Sequence, residues 1–423
     1  MQKQNGYVID TLYPSFFYKE MTPLWLSSVV QFLGFAAPQA EQKFSYLELA
    51  CATGSNLCLC AANYPHASFV GVDFNPLHIA QAKNKAKQLG LSNVAFIHCD
   101  FAEFLATNQQ QFDFIVNHGT YAWVAAEQQQ NILAIVHQFL KQQGIFYLHY
   151  MCYPGSAELS AIQKLFHLVD QHVATDSLAI AKHLCADLNQ AGAFVNNHKI
   201  EAAMNTLSQG DGYLAHEFLT DHWQPLYSVD VHQQIHEQAG LSYVGSANPC
   251  DNLDSISIPA KMQAIVQHTK TPALKEYLKD LARDAKQRID IFQKNPRALA
   301  QQQHLQCLGE MQFKRLPNAP LQGVSHFQTA IGQIQAPQSL LAAMFAHMQQ
   351  KSCRFQEFLT WPDFAQNPMF LIETLFLSMQ SGYIHPVLAA QHTVNQQAMD
   401  HINQRCHDLG MPFNIIAECG TAI

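Results

Sequence analysis

At 423 residues the chain is longer than one hydrophobic core usually organises, so two or three domains are expected. Hydrophobic residues make up 48% and charged residues 13%, a balance that excludes a disordered chain. Lys+Arg 24 against Asp+Glu 32 gives a formal charge of -8, which offers no broad footprint for a phosphate backbone, and no nucleic acid partner is expected.

Residues 1–43 read as a helical segment, with apolar positions at Tyr13, Phe16, Phe17, Leu24, Leu26, Val29 and Phe32. The opening Met1-Gln-Lys-Gln-Asn-Gly-Tyr-Val has no apolar h-region, so no secretory signal is expected there. From residue 44 strands alternate with helices. Phe44-Ser-Tyr-Leu-Glu-Leu-Ala reads as a buried strand, 56–63 as a helix, and Ser68-Phe-Val-Gly-Val as a second strand ending at Asp73. Pro76 opens a helix at its favoured first turn and Gly90 lets the chain leave it. Asn93-Val-Ala-Phe-Ile-His-Cys is a third strand, running to Asp100; Phe112-Asp-Phe-Ile-Val-Asn is a fourth. A helix over 131–140 leads to a fifth, Gly144-Ile-Phe-Tyr-Leu-His-Tyr. This rhythm implies right-handed βαβ units and a mostly parallel sheet covered on both faces.

Residues 156–222 read as helices inserted over the carboxyl edge of that sheet. A helix over 231–239, ended by Gly240, and the strand Leu241-Ser-Tyr-Val-Gly-Ser-Ala then finish it. The expected units are an α/β core over 44–155 and 223–258, the helical insertion 156–222, a helical, charged linker region 259–320, and a mainly α C-terminal domain 321–423 resembling a winged helix. Apolar runs such as Phe370-Leu-Ile-Glu-Thr-Leu-Phe-Leu are broken by charge, so no membrane span is expected. The 11 cysteines are irregularly spaced and odd in number, which fits reduced thiols in a cytoplasm. Cys58 and Cys60 point to different faces of a helix, and His232 and His236 lie on an exposed face without a third ligand, so no metal is expected.

In an open parallel sheet, ligands bind beyond the carboxyl ends of the strands. Four such ends carry suggestive chemistry. In Glu48-Leu-Ala50-Cys51-Ala52-Thr-Gly54 small residues admit a close backbone approach, and the following helix supplies free N–H groups. Asp73, followed by Phe74, lies about 20 residues on, where a carboxylate accepts from ribose hydroxyls. Asp100-Phe101 is fit to bond an adenine amino group and cover a ring face. Asn117-His118-Gly119-Thr120-Tyr121 is where a sulfonium donor and an acceptor can meet. Tyr121 and Trp123 are candidates for an aromatic wall around a cation or a lysine stem, and Tyr150, His216 and Glu217 are further candidates near the acceptor.

Taken in order, these stretches resemble class I S-adenosylmethionine-dependent methyltransferases, with their Rossmann-like sheet. They resemble more specifically a bacterial subfamily in which that core precedes a methyltransferase regulatory domain. The resemblance rests on Tyr46-Leu-Glu-Leu-Ala-Cys-Ala-Thr-Gly-Ser-Asn, Gly71-Val-Asp-Phe-Asn-Pro-Leu-His-Ile-Ala, His118-Gly-Thr-Tyr-Ala-Trp-Val, Tyr213-Leu-Ala-His-Glu-Phe-Leu, Gly240-Leu-Ser-Tyr-Val-Gly-Ser-Ala and Asp251-Asn-Leu-Asp, spanning roughly residues 7–260. It implies S-adenosyl-L-methionine as cofactor, with Glu48, Ala50, Cys51 and Gly54 around its methionine part, Asp73 and Phe74 at the ribose, Asp100 and Phe101 at the adenine, and His118 and Gly119 near the sulfonium. It also implies a homodimer acting on protein lysines, with a small-molecule acceptor as the alternative.

Three departures stand out. Ala50 and Ala52 replace the first two glycines of the turn; His149-Tyr150-Met151 stands where the family has Ser-Tyr-Asn; and Lys286-Gln-Arg-Ile-Asp-Ile-Phe-Gln-Lys replaces an Arg-rich segment. The alanines leave a second reading, a cofactor-fold module that works through its C-terminal domain. Adenine methylation is disfavoured, because no Asn-Pro-Pro-Tyr or Asp-Pro-Pro-Tyr follows the fourth strand and the chain is acidic. A nicotinamide-dependent oxidoreductase is disfavoured because Ala50 and Ala52 replace glycines of its fingerprint.

Overall fold

The computed structural model describes residues 2–173, 175–197, 199–200, 207, 209–388 and 396–423. It opens on a hairpin, β1 (Lys3–Gln4) and β2 (Tyr7–Val8), and an irregular stretch leads to α1 (Pro23–Phe32). The expected helix over 1–43 is therefore confined to Pro23–Phe32, after a short 3-10 turn at Lys19–Met21. Pro14 interrupts the earlier run, and the aromatic side chains there turn individually onto other elements instead of forming one stripe.

The α/β core then follows as β3 (Ser45–Leu49), α2 (Ser55–Asn63), β4 (Ser68–Asp73), α3 (Pro76–Leu89), β5 (Val94–His98), α4 (Phe101–Thr107), β6 (Phe112–Asn117), α5 (Ala126–Phe139) and β7 (Leu140–Met151). α3 forms as the sequence predicts. Asn75 caps its first turn by accepting from Leu77 N at 2.9 Å, Pro76 opens it, and Gly90 closes it at φ +70°. The five strands run parallel in the order β5-β4-β3-β6-β7. Their register sets Leu49 beside Val72 and Asn117, and Asp73 beside His98. The strand ends thus share one rim.

Helices α6 (Ser160–His172) and α7 (Ser177–Gln190), with a helix at Asp211–Phe218, form the insertion; residues 174, 198, 201–206 and 208 of the expected helical stretch lie outside the described residues. After a helix at Ser228–Ala239 comes β8 (Leu241–Ser246), the expected returning strand. It does not pair with β7. β9 (Gln287–Lys294) lies between them, antiparallel to both, within the segment read as a helical linker. The charge of that segment includes Arg288 and Asp290. Both are buried: Arg288 Nε donates to both oxygens of Asp290 at 3.0 Å, and its other nitrogens reach Asp280, Glu276 and the Tyr243 hydroxyl. Mutual pairing lets charged residues occupy an internal strand, which hides the strand in the sequence. His232, expected on an exposed face, closes the same cluster through Asp290 at 2.8 Å.

The C-terminal region is mainly helical, with helices at Gln338–Gln350 and Pro368–Gln380, and contains a three-stranded antiparallel sheet, β13 (Cys353–Arg354), β10 (Gln312–Arg315) and β14 (Ile384–Pro386), besides the hairpin of β11 (His326–Thr329) and β12 (Gly332–Gln335). This order does not establish the expected winged helix, because β10 lies ahead of the helices and pairs with both of the others. One apolar cluster runs from the sheet into this region through α1. Trp25 is fully buried and donates its indole N–H to Ala247 O at 2.8 Å, while Phe32 meets Phe376 edge-on at 4.9 Å. Among the described residues no helix is long and apolar enough to cross a membrane.

Candidate functional site

Beyond the shared rim of β3, β4, β5 and β6 lies a cavity of about 800 Å³, closed by the N-terminal segment and by the insertion helix 211–218. Its floor is the turn after β3. Ala50 and Ala52 both hold left-handed backbone, φ +59° and φ +46°, the conformation that glycines adopt without strain. The turn keeps this shape through Cys51 N, which donates to Val72 O at 3.0 Å, and Ala52 N, which donates to Asp73 Oδ2 at 2.9 Å. Gly54 is glycine for another reason: at φ +69° a Cβ would stand 2.7 Å from Ala82 and Phe96, so it is the contact point of α2 with α3 and β5. Gly54 does not line the cavity; Glu48, Ala50, Cys51 and Ala52 do.

Glu48 is buried, and its Oε2 faces no hydrogen-bond donor. Burial raises its carboxyl to about 8, an effect that neighbouring Asn56 offsets in part and Asp73 reinforces. An unsatisfied buried carboxylate oxygen at a ligand cavity is a site for a donor that the ligand brings. Asp73 accepts from Ala52 N and Asn75 N, and His78 Nδ1 lies 3.4 Å from its Oδ1. Tyr13 N donates to His78 Nε2, which places the imidazole proton on the Asp73 side. A carboxylate has about four acceptor positions, so Asp73 still has capacity for hydroxyl donors. Asp100 caps α4 through Glu103 N at 2.8 Å, and Phe74, Cys99, Asp100 and Phe101 complete this wall.

The opposite half is aromatic. Tyr18 lies on the His118 imidazole with centroids 3.7 Å apart, and His118 lies on His149 at 4.0 Å. Gly119 N donates to His149 Nδ1 at 3.0 Å, and His118 Nδ1 pairs with the Tyr147 hydroxyl at 2.9 Å. Burial holds both imidazoles neutral: His149 is lowered to about 4, and His118 falls well below its usual range. His149 thereby keeps a neutral ring nitrogen that accepts from the Gly119 amide at the end of β6. Tyr7, Tyr13, Phe16, Trp123, Tyr213 and Glu217 close this half. Burial raises the Glu217 carboxyl to about 8, with the Trp123 indole close enough to oppose the shift in part though short of a well-formed hydrogen bond.

Of the sequence-predicted residues, the structure gathers Glu48, Ala50, Cys51, Asp73, Phe74, Asp100, Phe101, His118, Gly119, Trp123 and Glu217 around one cavity. It places the rest elsewhere. Tyr121 is buried beneath the loop and donates its hydroxyl to Gln234 Oε1 at 3.0 Å. Tyr150 points to the opposite face of β7 and donates to Asp290 at 2.7 Å, because successive strand residues alternate sides. His216 packs against Tyr7 and Tyr13 and bonds Thr11 O at 2.9 Å, so it braces the N-terminal segment behind the cavity wall.

Several lining or supporting residues escaped the sequence reading: Tyr7, Tyr13, Tyr18, His78, His149 and Lys85. Lys85 was legible. It interrupts the apolar stripe Ile79, Ala82, Ala86, Leu89 of α3, and a lysine on a buried stripe needs a partner. Its ammonium bonds the hydroxyls of Ser15, Thr53 and Ser55, tying the N-terminal segment to the turn after β3, and burial lowers it to about 8. Nothing in the local pattern marks Tyr7, Tyr13 or Tyr18, which reach the cavity only through the course of the chain.

Residues 40–227 match the family model of a methyltransferase domain, and residues 210–294 match one described as a predicted methyltransferase regulatory domain. An uncharacterized protein of Synechocystis sp. is 32% identical over 319 residues, 74% of this chain and 63% of that protein. Another, from Rickettsia prowazekii, is 29% identical over 243 residues, 56% of this chain and 43% of its own length. The chain thus spans less than two thirds of either relative. Among solved structures, PKMT2 from Rickettsia typhi superposes with a TM-score of 0.70 at 19% identity, covering 92% of this chain and 82% of that one. Its complex with AdoHcy gives a TM-score of 0.65 at 20% identity, with coverages of 88% and 77%. At such identity the likeness is one of fold. By these models the chain carries a methyltransferase domain over 40–227 and a predicted methyltransferase regulatory domain over 210–294, and its fold is like that of PKMT2 from Rickettsia typhi.

Proposed function

We propose that the protein transfers methyl groups from S-adenosylmethionine to amines, and that the acceptor is the side chain of a protein lysine. One observation carries this reading. The cavity is lined by five carboxyl side chains, Glu20, Glu48, Asp73, Asp100 and Glu217, two of which (Glu48 and Glu217) ionise only toward about 8 unless a cation enters, and by no lysine or arginine among the described residues. Such a chamber favours positive charge, and a cationic donor and an ammonium acceptor together bring two of them.

When bound, the cofactor supplies a methyl group on a positively charged sulfur. Glu48, with its unsatisfied oxygen, Ala50 and Cys51 would hold its methionine part, Asp73 and Phe74 its ribose, and Asp100 and Phe101 its adenine; His118 and Gly119 would face the sulfur. Tyr7, Tyr13, Tyr18, Trp123 and Tyr213 would then line the path of a lysine stem, whose methylenes pack on ring faces while the ammonium keeps polar company. The fold likeness to Rickettsia typhi PKMT2 supports a protein substrate. A homodimer in the cytoplasm belongs to the same proposal, on the family resemblance and the 11 free thiols.

Titration calorimetry with S-adenosylmethionine tests the cofactor half, with Asp73→Ala expected to weaken binding by roughly 10- to 100-fold, the loss of hydrogen bonds to a charged group. Intact-mass analysis of lysine-rich proteins incubated with enzyme and donor tests the acceptor half. Transfer to small amines alone would overturn the protein substrate.

A further inference from the structure

We propose that Glu217 receives the proton of the acceptor amine, an inference that rests on the amine reading above. An ammonium has no lone pair, so its nitrogen becomes a nucleophile only after losing a proton to a group within reach. The cavity holds few groups able to take it. Glu48 and Asp73 lie on the cofactor side, and Asp73 already accepts from Ala52 N and Asn75 N. Asp100 caps α4 beside them. Glu20 forms an ion pair with Lys19. His118 and His149 are disfavoured as proton acceptors, since burial opposes their charged forms.

Glu217 differs from all of these. It lies on the insertion helix, across the cavity from the strand rim, and among the described residues no ion pair involves it. It shares the cavity lining with Tyr13 and Tyr18 from the N-terminal segment, Tyr7 from β2, Tyr213 from its own helix and Trp123 from the loop after β6. Burial first, and then the charge of Glu217, keeps all four tyrosines protonated. Its helical neighbour His216 is neutral and turned to Thr11 O. Glu217 is therefore a carboxyl group in an aromatic chamber, ionised above about 8, with no cation paired to it among the described residues. In the proposed step the N–H bond of the ammonium breaks, the proton passes to a Glu217 carboxylate oxygen, and the nitrogen keeps the electron pair. The carboxylate becomes a carboxylic acid and the ammonium a neutral amine, so charge and protons balance.

The test compares the full chain with Glu217→Gln, using poly-L-lysine as acceptor and n-butylamine as a non-protein ligand. Wild-type kcat/KM is expected to rise with pH through about 8, where free Glu217 ionises. In Glu217→Gln this limb should move toward the range of the amine itself, about 10, with a loss of roughly 100-fold near neutral pH that alkaline pH restores. Glu217→Asp should recover part of the loss. Calorimetry of n-butylamine in buffers of different ionisation enthalpy gives a readout free of turnover: wild type should release protons on binding near neutral pH and Glu217→Gln should not. Unchanged cofactor affinity shows that the variant is folded. A pH limb or proton release that persists in Glu217→Gln overturns the assignment to Glu217 alone. Cofactor binding by the wild type without transfer to poly-L-lysine or to n-butylamine overturns the amine reading, and the inference with it.

Discussion

Tyr18 and His118 stack with ring centroids 3.7 Å apart and planes inclined by 25°, joining the N-terminal segment to the end of β6 across the middle of the cavity. An aromatic pair of this kind contributes roughly 0.5–1.5 kcal/mol beyond area burial. The loop carrying His118 and Gly119 is braced on its other side by His149. Tyr18→Ala should therefore lower turnover about 3- to 10-fold while cofactor affinity changes less than about twofold, and Tyr18→Phe should keep near-wild-type rates. Paired rate and binding measurements check this. An Ala variant with unaltered turnover would show that the stack is packing alone.

Ala50 and Ala52 sit where a side chain strains the backbone. A left-handed non-glycine residue costs roughly 1–2 kcal/mol, while glycine gives back about 0.5–1 kcal/mol in chain entropy. Ala52→Gly, at φ +46°, is accordingly expected to stabilise the fold by about 0.5–1 kcal/mol, seen as a small rise in midpoint in thermal or urea unfolding. A lower midpoint would mean that the methyl packs well enough to outweigh its strain.

Glu48 predicts a pH dependence. Its ordinary value is 4.5 and burial raises it to about 8, so between these values the folded chain holds a proton that the unfolded chain has released. Stability from this group falls as pH rises through that window. Without ligand, Glu48→Gln should unfold at a higher temperature than wild type near pH 9 and show little difference near pH 4. The same variant should bind S-adenosylmethionine more weakly, because it lacks the carboxylate charge. Equal thermal shifts at both pH values would rule out ionisation as the cause.

Arg288 holds three acidic side chains, Asp280, Asp290 and Glu276, inside the structure. Burial would raise Asp290, but Arg288 and His232 beside it hold its carboxyl at about 2. Arg288→Met removes the one guanidinium that joins them and should cost roughly 3–5 kcal/mol, since the acids stay buried without their partner. Urea unfolding measures the loss. A change under about 1 kcal/mol would show that water or other donors satisfy these acids.

The strand-end half of the cavity was legible in the sequence because its residues follow the chain. Each of Glu48, Asp73, Asp100 and His118 lies at or just past the end of a strand, and a parallel sheet brings successive strand ends to one rim. Local pattern also fixed α3, through Asn75, Pro76 and Gly90, and the turn at Gly240.

The aromatic half belongs to the tertiary structure. Tyr7, Tyr13, Tyr18, His149, Tyr213 and Gln287 meet from five separate segments, and no periodicity relates them. Tyr121 and Tyr150 were misplaced for a related reason: side-chain direction depends on the register of the strand or loop, which composition leaves open, and one residue's rotation moves a ring from cavity to core. β9 was hidden because buried charges that pair with one another look, along the chain, like a solvated helix face. Sequence determined the five parallel strands and where their ends point; long-range packing decided where β9 inserts and which side chains share the cavity, because only folding brings residues such as Tyr18 and Glu217 into one chamber.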